Sequence, residues 1–247
     1  MMPNNITNEI SFGAGDQAKT VFRQMLEEMR EPGEQLGSFD FNRLIPMPES
    51  LNIVAGTQTK EGLELYKRFI RDREDPPVDF IEKWKKIAER DPETWELGKR
   101  AYCNIQDHGA PTWYEWCVKN WGTKWNAYRT ELDMESGTLS FETAWSAVPK
   151  IVELLSQKYP EQNICYRWAD ENIGYHVGEC TYRGGVMTEE HIPIPGSREA
   201  YEMAAEIMRV DLRDYDLVLS ADGSTYEWAV DLSPESDEPS KPQNMER

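Results

Sequence analysis

Gly13-Ala14-Gly15-Asp16-Gln17-Ala18 has the G-x-G-x-x-A spacing with which dinucleotide-binding folds let a pyrophosphate approach a helix N-terminus. Asp40 follows about 22 residues after Ala18, near the spacing of a ribose-binding acid. The residues before the glycines argue otherwise. Ile6, Ile10 and Phe12 share one face and Thr7, Glu9 and Ser11 the other, the alternation of a half-buried strand. The first strand of a dinucleotide fold is buried on both faces, and Asp16 would set a negative charge beside the phosphates. A turn in which Asp16 caps the following helix fits these residues better, so no cofactor is expected.

A second constellation is aromatic. Trp113, Tyr114, Trp116, Trp121, Trp125 and Tyr128, with Lys119 and Lys124 between them, are the residue types that stack single-stranded bases and pair with phosphates. The helical spacing of Trp113, Trp116 and Cys117 favours a packing role, anchoring helices to a sheet. Lys119, Lys124, Trp125 and Tyr128 are the candidate exposed aromatic and basic surface.

The third constellation is acidic: Glu189, Glu190, Glu199, Glu202, Glu206, Asp211, Asp214 and Asp216. Glu199, Glu202 and Glu206 fall on one helix face by i+3 and i+4 spacing, where like charges repel. One reading is a solvated face that aids solubility. The other is a row of carboxylates that imitates duplex phosphates and occupies the basic groove of a nucleic-acid-binding protein.

Other chemistries lack their residues. His108, His176 and His191 are far apart, and no Cys-x-x-Cys or His-x-x-x-His occurs, so metal-ligand spacing is missing. Cys103, Cys117, Cys165 and Cys180 are too few and too scattered for a disulfide framework; Cys165 and Cys180 could face each other across a hairpin, although buried free thiols suit those two better. There is no serine nucleophile elbow and no phosphate-cradling Gly-Lys-Thr loop. No catalytic residue and no enzymatic activity are expected.

The elements that must carry these groups follow from periodicity and capping signals. A strand over 6–12 leads through Gly13 and Gly15 to a helix whose Ala18, Val21, Phe22, Met25 and Met29 form one apolar stripe, ended by Glu31-Pro32-Gly33. A second strand is expected over Phe39–Pro46. A helical stretch follows, at about 57–122. Thr59, Asp91-Pro92-Glu93 and the capping box Thr112-Trp113-Tyr114-Glu115 mark helix starts within it. Strands are expected at Trp125–Glu131 and Thr138–Thr143, a helix from Ser146 to Pro160, then strands around Ile164–Trp168 and Tyr175–Tyr182. A helix after Ser197 and a hairpin about Asp222-Gly223 complete the pattern. Without the helical stretch the order reduces to β-α-β-β-α-β, the split arrangement of an antiparallel sheet with two helices on one face.

Charge locates the acidity. The 247 residues hold 45 Asp and Glu against 27 Lys and Arg, a net charge of -18. Residues 1–125 carry 17 cations and 21 anions, whereas residues 126–247 carry 10 and 24, a net of -14. Such a chain is repelled from nucleic-acid phosphates and anionic lipid heads, so direct nucleic-acid binding is not expected. No apolar run reaches the roughly 20 residues of a membrane span, and the first residues show no export signal. The cytoplasm of a bacterial host is the expected location.

The stretch Trp116-Cys117-Val118-Lys119-Asn120-Trp121-Gly122-Thr123-Lys124-Trp125-Asn126-Ala127-Tyr128 resembles the signature of phage and plasmid proteins with a YubB-type ferredoxin-like domain. Phe41-Asn42-Arg43-Leu44-Ile45-Pro46-Met47-Pro48 is similar to the family's second-strand motif. Phe141-Glu142-Thr143-Ala144-Trp145 and Gly174-Tyr175-His176-Val177-Gly178-Glu179 are similar to two later ones. The resemblance covers roughly 5–183; the acidic segment after Gly184 has no counterpart in it. It implies a mobile-element gene and no particular activity.

These readings combine into one expectation. The fold is α+β, a ferredoxin-like split β-α-β antiparallel sheet over 5–183 with a helical insertion at about 57–122. An acidic α/β extension occupies 184–232 and a disordered tail 233–247. The expected function is that of a non-enzymatic mobile-element protein that inhibits a host defence protein, a CRISPR or restriction component, through nucleic-acid mimicry. Its partner would present a basic nucleic-acid-binding surface. A single-stranded nucleic-acid-binding accessory factor and a nucleotide-dependent enzyme at Gly13–Asp16 are the alternatives.

Overall fold

A computed structural model describes residues 4–229; the expected tail at 233–247 lies outside them. The strands are β1 (Asn5–Phe12), β2 (Tyr128–Asp133), β3 (Thr138–Ala144), β4 (Ile164–Asp170), β5 (Val177–Arg183) and β6 (Val186–His191), with a separate hairpin of β7 (Leu217–Leu219) and β8 (Tyr226–Trp228). The helices are α1 (Asp16–Met29), α2 (Thr57–Glu74), α3 (Phe80–Arg90), α4 (Pro92–His108), α5 (Trp113–Asn120), α6 (Pro149–Lys158) and α7 (Arg198–Met208).

The main sheet has the order β2-β3-β1-β4-β5-β6, and every pairing in it is antiparallel. Its β1-α1-β2-β3-α6-β4 portion is the ferredoxin-like arrangement. One face of the sheet presents Ile10, Leu139, Phe141, Ile164, Tyr166, Cys180 and Tyr182 to α1 (Phe22, Met25, Leu26, Met29) and α6 (Ile151, Val152, Leu155). The opposite face presents Ala169 and Val177, which face each other across β4 and β5, to Ala200, Tyr201, Ala204 and Ile207 of α7. Helices therefore cover both faces. Gly174 permits this closure: it lies at φ +84, and a Cβ there would stand 2.5 Å from the Tyr201 ring.

The segment Phe39–Pro46 is a correction to the sequence reading. It forms no strand; Phe41–Arg43 is a single 3-10 turn. Asp40 accepts from the Asn42 backbone N–H at 3.0 Å and from Asn126 Nδ2 at 2.7 Å, while Asn126 Oδ1 accepts from the Phe41 N–H at 2.8 Å. Side chains thus satisfy the peptide groups that a strand would have paired with a neighbour. The apolar alternation that suggests a strand is real, but Phe39 and Phe41 plug the core against Phe141. The second core strand is β2, so α2–α5 are inserted between α1 and the second strand.

The inserted helices have their own aromatic cluster, in which Phe69 meets Phe80, Trp84 and Trp95, and Tyr66 meets Trp95 and Tyr102. Helices α2 and α4 touch backbone to backbone at Gly62 and Gly98: a Cβ on Gly98 would stand 2.0 Å from the Gly62 carbonyl oxygen. Trp116, Cys117 and Trp121 bury into the sheet's core, and the Trp121 indole donates to the Ile45 carbonyl at 3.0 Å. The expected anchoring role of this motif is what the packing displays.

Two smaller expectations also change. Gly15, at φ +111, occupies the N-cap of α1, and Asp16 is the first helical residue with no capping hydrogen bond. Strand β1 is central and not half-buried: Asn8 and Glu9 are buried along with Ile6 and Ile10.

Candidate functional site

Most of the acidic residues lie on the α7 side of the sheet, on β6, α7 and the turn after it; Glu190, in register with Cys180, points to the opposite, α6 side. Ser197 caps α7 by accepting from the Ala200 N–H at 3.2 Å, and Arg209, in the left-handed conformation, closes its C-terminus. With Ala200, Ala204 and Ile207 turned to the sheet, Glu199, Glu202 and Glu206 are exposed. They do not form a free row. Glu199 lies 2.9 Å from His191 Nε2, Glu202 accepts from Arg198 Nε at 2.7 Å, and Glu206 accepts from Arg167 at 3.0 Å. Asp211 is paired with Arg213 at 2.6 Å and its carboxyl is held at about 2 by hydrogen bonds from that arginine. Among the described residues no cation stands within 4.0 Å of Glu189, Glu190, Asp214 or Asp216. The eight expected residues thus divide into four paired and four unpaired carboxylates.

Beneath α7 lies a network that the sequence does not announce. Arg167 of β4 sits 3.6 Å from Glu9 and 3.4 Å from Glu179, besides its bond to Glu206. Arg209 stands 3.3 Å from Glu9 and 3.6 Å from Glu131. Burial raises the Glu9 carboxyl above its ordinary range, and the charges of Arg167 and Arg209 oppose that rise. Two arginines shared among Glu9, Glu131, Glu179 and Glu206 leave the region negative while fixing the carboxylates in place. Strand alternation places Glu9 and Arg167 on one face of the sheet; only the docking of α7 brings the distant Glu206 to them.

The aromatic and basic residues lie elsewhere. Lys124 Nζ is 4.2 Å from the Trp125 ring centroid and 4.9 Å from that of Trp145. Trp125 and Trp145 are 38% and 41% exposed. Together with Lys60, Trp113, Tyr114 and Glu115 they line a cleft of about 470 Å³. Trp145 holds φ +66, a conformation that costs a bulky residue about 1–3 kcal/mol, and its N–H donates to the Asn4 carbonyl at 2.8 Å. Trp145 and Lys60 are additions to the expected surface; only the three-dimensional fold brings them to Lys124. Tyr128 flanks Trp125 at 6.4 Å and donates to Asn5 at 2.7 Å. Lys119 is exposed at the end of α5 and does not line the cleft.

The Gly13–Asp16 stretch is a turn whose Gly13 N–H donates to the Asn163 carbonyl at 3.1 Å. It follows a strand antiparallel to both neighbours, whereas a dinucleotide loop follows a parallel one. Cys165 pairs in register with Thr181 and Cys180 with Tyr166, so the two thiols point to opposite faces and stay free. Among the described residues no group of three or more His, Cys, Asp or Glu side chains is placed to hold a metal ion, and no helix is long and apolar enough to cross a membrane.

Fold and surface define a ferredoxin-like α+β protein with an acidic layer on one sheet face and an aromatic cleft beside the insertion. Residues 124–211 match the family model described as a ferredoxin-like domain in Api92-like protein. The match begins later than the expected span of 5–183 and runs beyond Gly184, taking in β6 and α7. The crystal structure of a protein api92 from Yersinia pseudotuberculosis is similar at 11% identity, covering 78% of this chain and 99% of that one with a TM-score of 0.36. Among curated proteins nothing matches this chain.

Proposed function

We propose that this is a non-enzymatic binding protein of a phage or other mobile element, and that its acidic layer docks on the basic nucleic-acid-binding surface of a host defence protein. The observation that carries this reading is the ordering of the carboxylates. His191, Arg198 and Arg167 hold Glu199, Glu202 and Glu206 in fixed positions, and Glu189, Asp214 and Asp216 add unpaired charge on the same side of the sheet. A preorganised charge array loses less conformational entropy on docking than one of free side chains. Electrostatic complementarity of this kind favours rapid, salt-sensitive association. The likeness of the Trp-rich motif to phage and plasmid proteins supports the mobile-element setting.

The test is association with a basic nuclease complex from a bacterial host, followed at increasing salt and with duplex DNA as competitor. Binding that weakens with salt and is displaced by the duplex supports the proposal. The double substitution Glu189→Lys with Asp214→Lys reverses charge in the layer and removes no ion pair among the described residues, so it should weaken association by about tenfold or more without altering the unfolding midpoint. Unchanged affinity in that variant removes these residues from the interface and overturns the proposed surface.

A further inference from the structure

The aromatic cleft has features that packing alone does not require. Three tryptophans, Trp113, Trp125 and Trp145, line one opening, and two of them leave more than a third of their surface in water. Lys60 and Lys124 line the same opening, and among the described residues neither has a carboxylate within 4.0 Å. The one acid on the wall, Glu115, is engaged by the Thr112 hydroxyl. Trp145 lines the cleft from a left-handed backbone position, and such outliers concentrate where a site is being held in shape.

We propose that this cleft binds a nucleoside phosphate, with the base stacked on the indole rings and the phosphate paired with Lys124 and Lys60. Aromatic rings and cations in one small opening match a ligand that is planar at one end and anionic at the other. A neutral sugar would also stack, but it would leave the two ammonium groups of Lys60 and Lys124 without a counter-charge. The Lys124 ammonium rests over the rings of Trp125 and Trp145. An entering base takes the ring surface, and the ammonium turns to the phosphate. The volume of about 470 Å³ accommodates a single nucleotide, and the net charge of -18 disfavours a long strand. This site is independent of the acidic layer.

The full chain is titrated with AMP, CMP, GMP and UMP, and with adenosine, inorganic phosphate and a ten-nucleotide single strand of deoxyadenosine. Calorimetry and tryptophan fluorescence are the readouts. At least one monophosphate is expected to bind, with adenosine and phosphate each about tenfold weaker or more. The strand distinguishes the sources of the shared chemistry: no tighter binding than the monophosphate assigns the site to free nucleotide, and tighter binding assigns it to a strand segment. Trp125→Ala and Lys124→Ala should each reduce affinity about tenfold. Lys60→Ala, at an exposed helix position, serves as a variant that leaves the fold intact, and Lys150→Ala should bind normally. Absence of binding by every nucleotide and the strand at about 5 mM, or affinity unaffected by all three cleft substitutions, overturns the proposal.

Discussion

Arg167 of β4 donates to Glu206 of α7 at 3.0 Å, a bond that joins the buried centre of the sheet to its most acidic helix. The same guanidinium lies 3.6 Å from Glu9, which is only 8% exposed. Arg167 is thus the principal counter-charge for three carboxylates.

Arg167→Ala should be strongly destabilising because it leaves Glu9 buried with only the half-exposed Arg209 for company. Breaking a buried pair on one side costs about 3–5 kcal/mol, and partial exposure here brings the expected loss to about 2–3 kcal/mol. Arg167→Lys should recover part of it. Urea unfolding of the two variants measures the difference, and a midpoint unchanged in the alanine variant would show the network to be energetically idle.

Gly98→Ala tests the crossing of α2 and α4. The added methyl would stand 2.0 Å from the Gly62 carbonyl oxygen and 2.2 Å from its carbon, and neither helix can yield without disturbing the Tyr66, Phe69 and Trp95 cluster. Overpacking of this kind costs about 1–3 kcal/mol. The expected result is a lowered thermal midpoint, with proteolysis first attacking 57–108, whereas an ordinary helical glycine would gain stability on becoming alanine.

The acid limb of stability should depend on Glu28. Hydrogen bonds from Lys158 and Gln24 hold its carboxyl at about 2 against the opposing effect of burial, and Tyr159 adds a smaller contribution. A depressed carboxyl contributes stability above its unfolded value of 4.5 that is lost as pH falls toward about 2. Glu9 acts in the opposite sense: its raised carboxyl disfavours the folded state as pH climbs from 4.5 through the raised value. Thermal midpoints followed from neutral pH to about pH 2.5 should fall less steeply in Glu28→Gln than in the parent, and identical slopes would refute the assignment.

Much of this architecture is legible from residue order. Alternation in β1 and β4, the apolar stripe of α1 and the caps at Asp91, Thr112 and Ser197 all specify local structure through short-range chemistry. Phe39–Pro46 misleads because period-two apolar residues report burial, and burial does not require a ladder partner when Asp40 and Asn126 supply the hydrogen bonds. Asn8 interrupts the apolar face of β1 for a comparable reason: it accepts from the Tyr166 hydroxyl at 2.6 Å and donates to Thr143 at 2.9 Å, partners 158 and 135 residues away. The acidic residues of α7 stand out as a cluster, yet their pairing with Arg167 depends on a contact across 39 residues. Lys60 meets Trp125 and Trp145 only through the insertion's placement, which no local signal encodes.

Among the described residues the sheet ends at β6, whose outer backbone groups face no neighbouring strand. Glu189 and Glu190 lie on successive positions there, so one carboxylate points to each side of the sheet. A second copy laid against this margin would bring like charges together on both sides. Carboxylates suited to a basic partner therefore also discourage the chain from lengthening its own sheet into aggregates, a safeguard that lysine replacements would keep and neutral ones would lose.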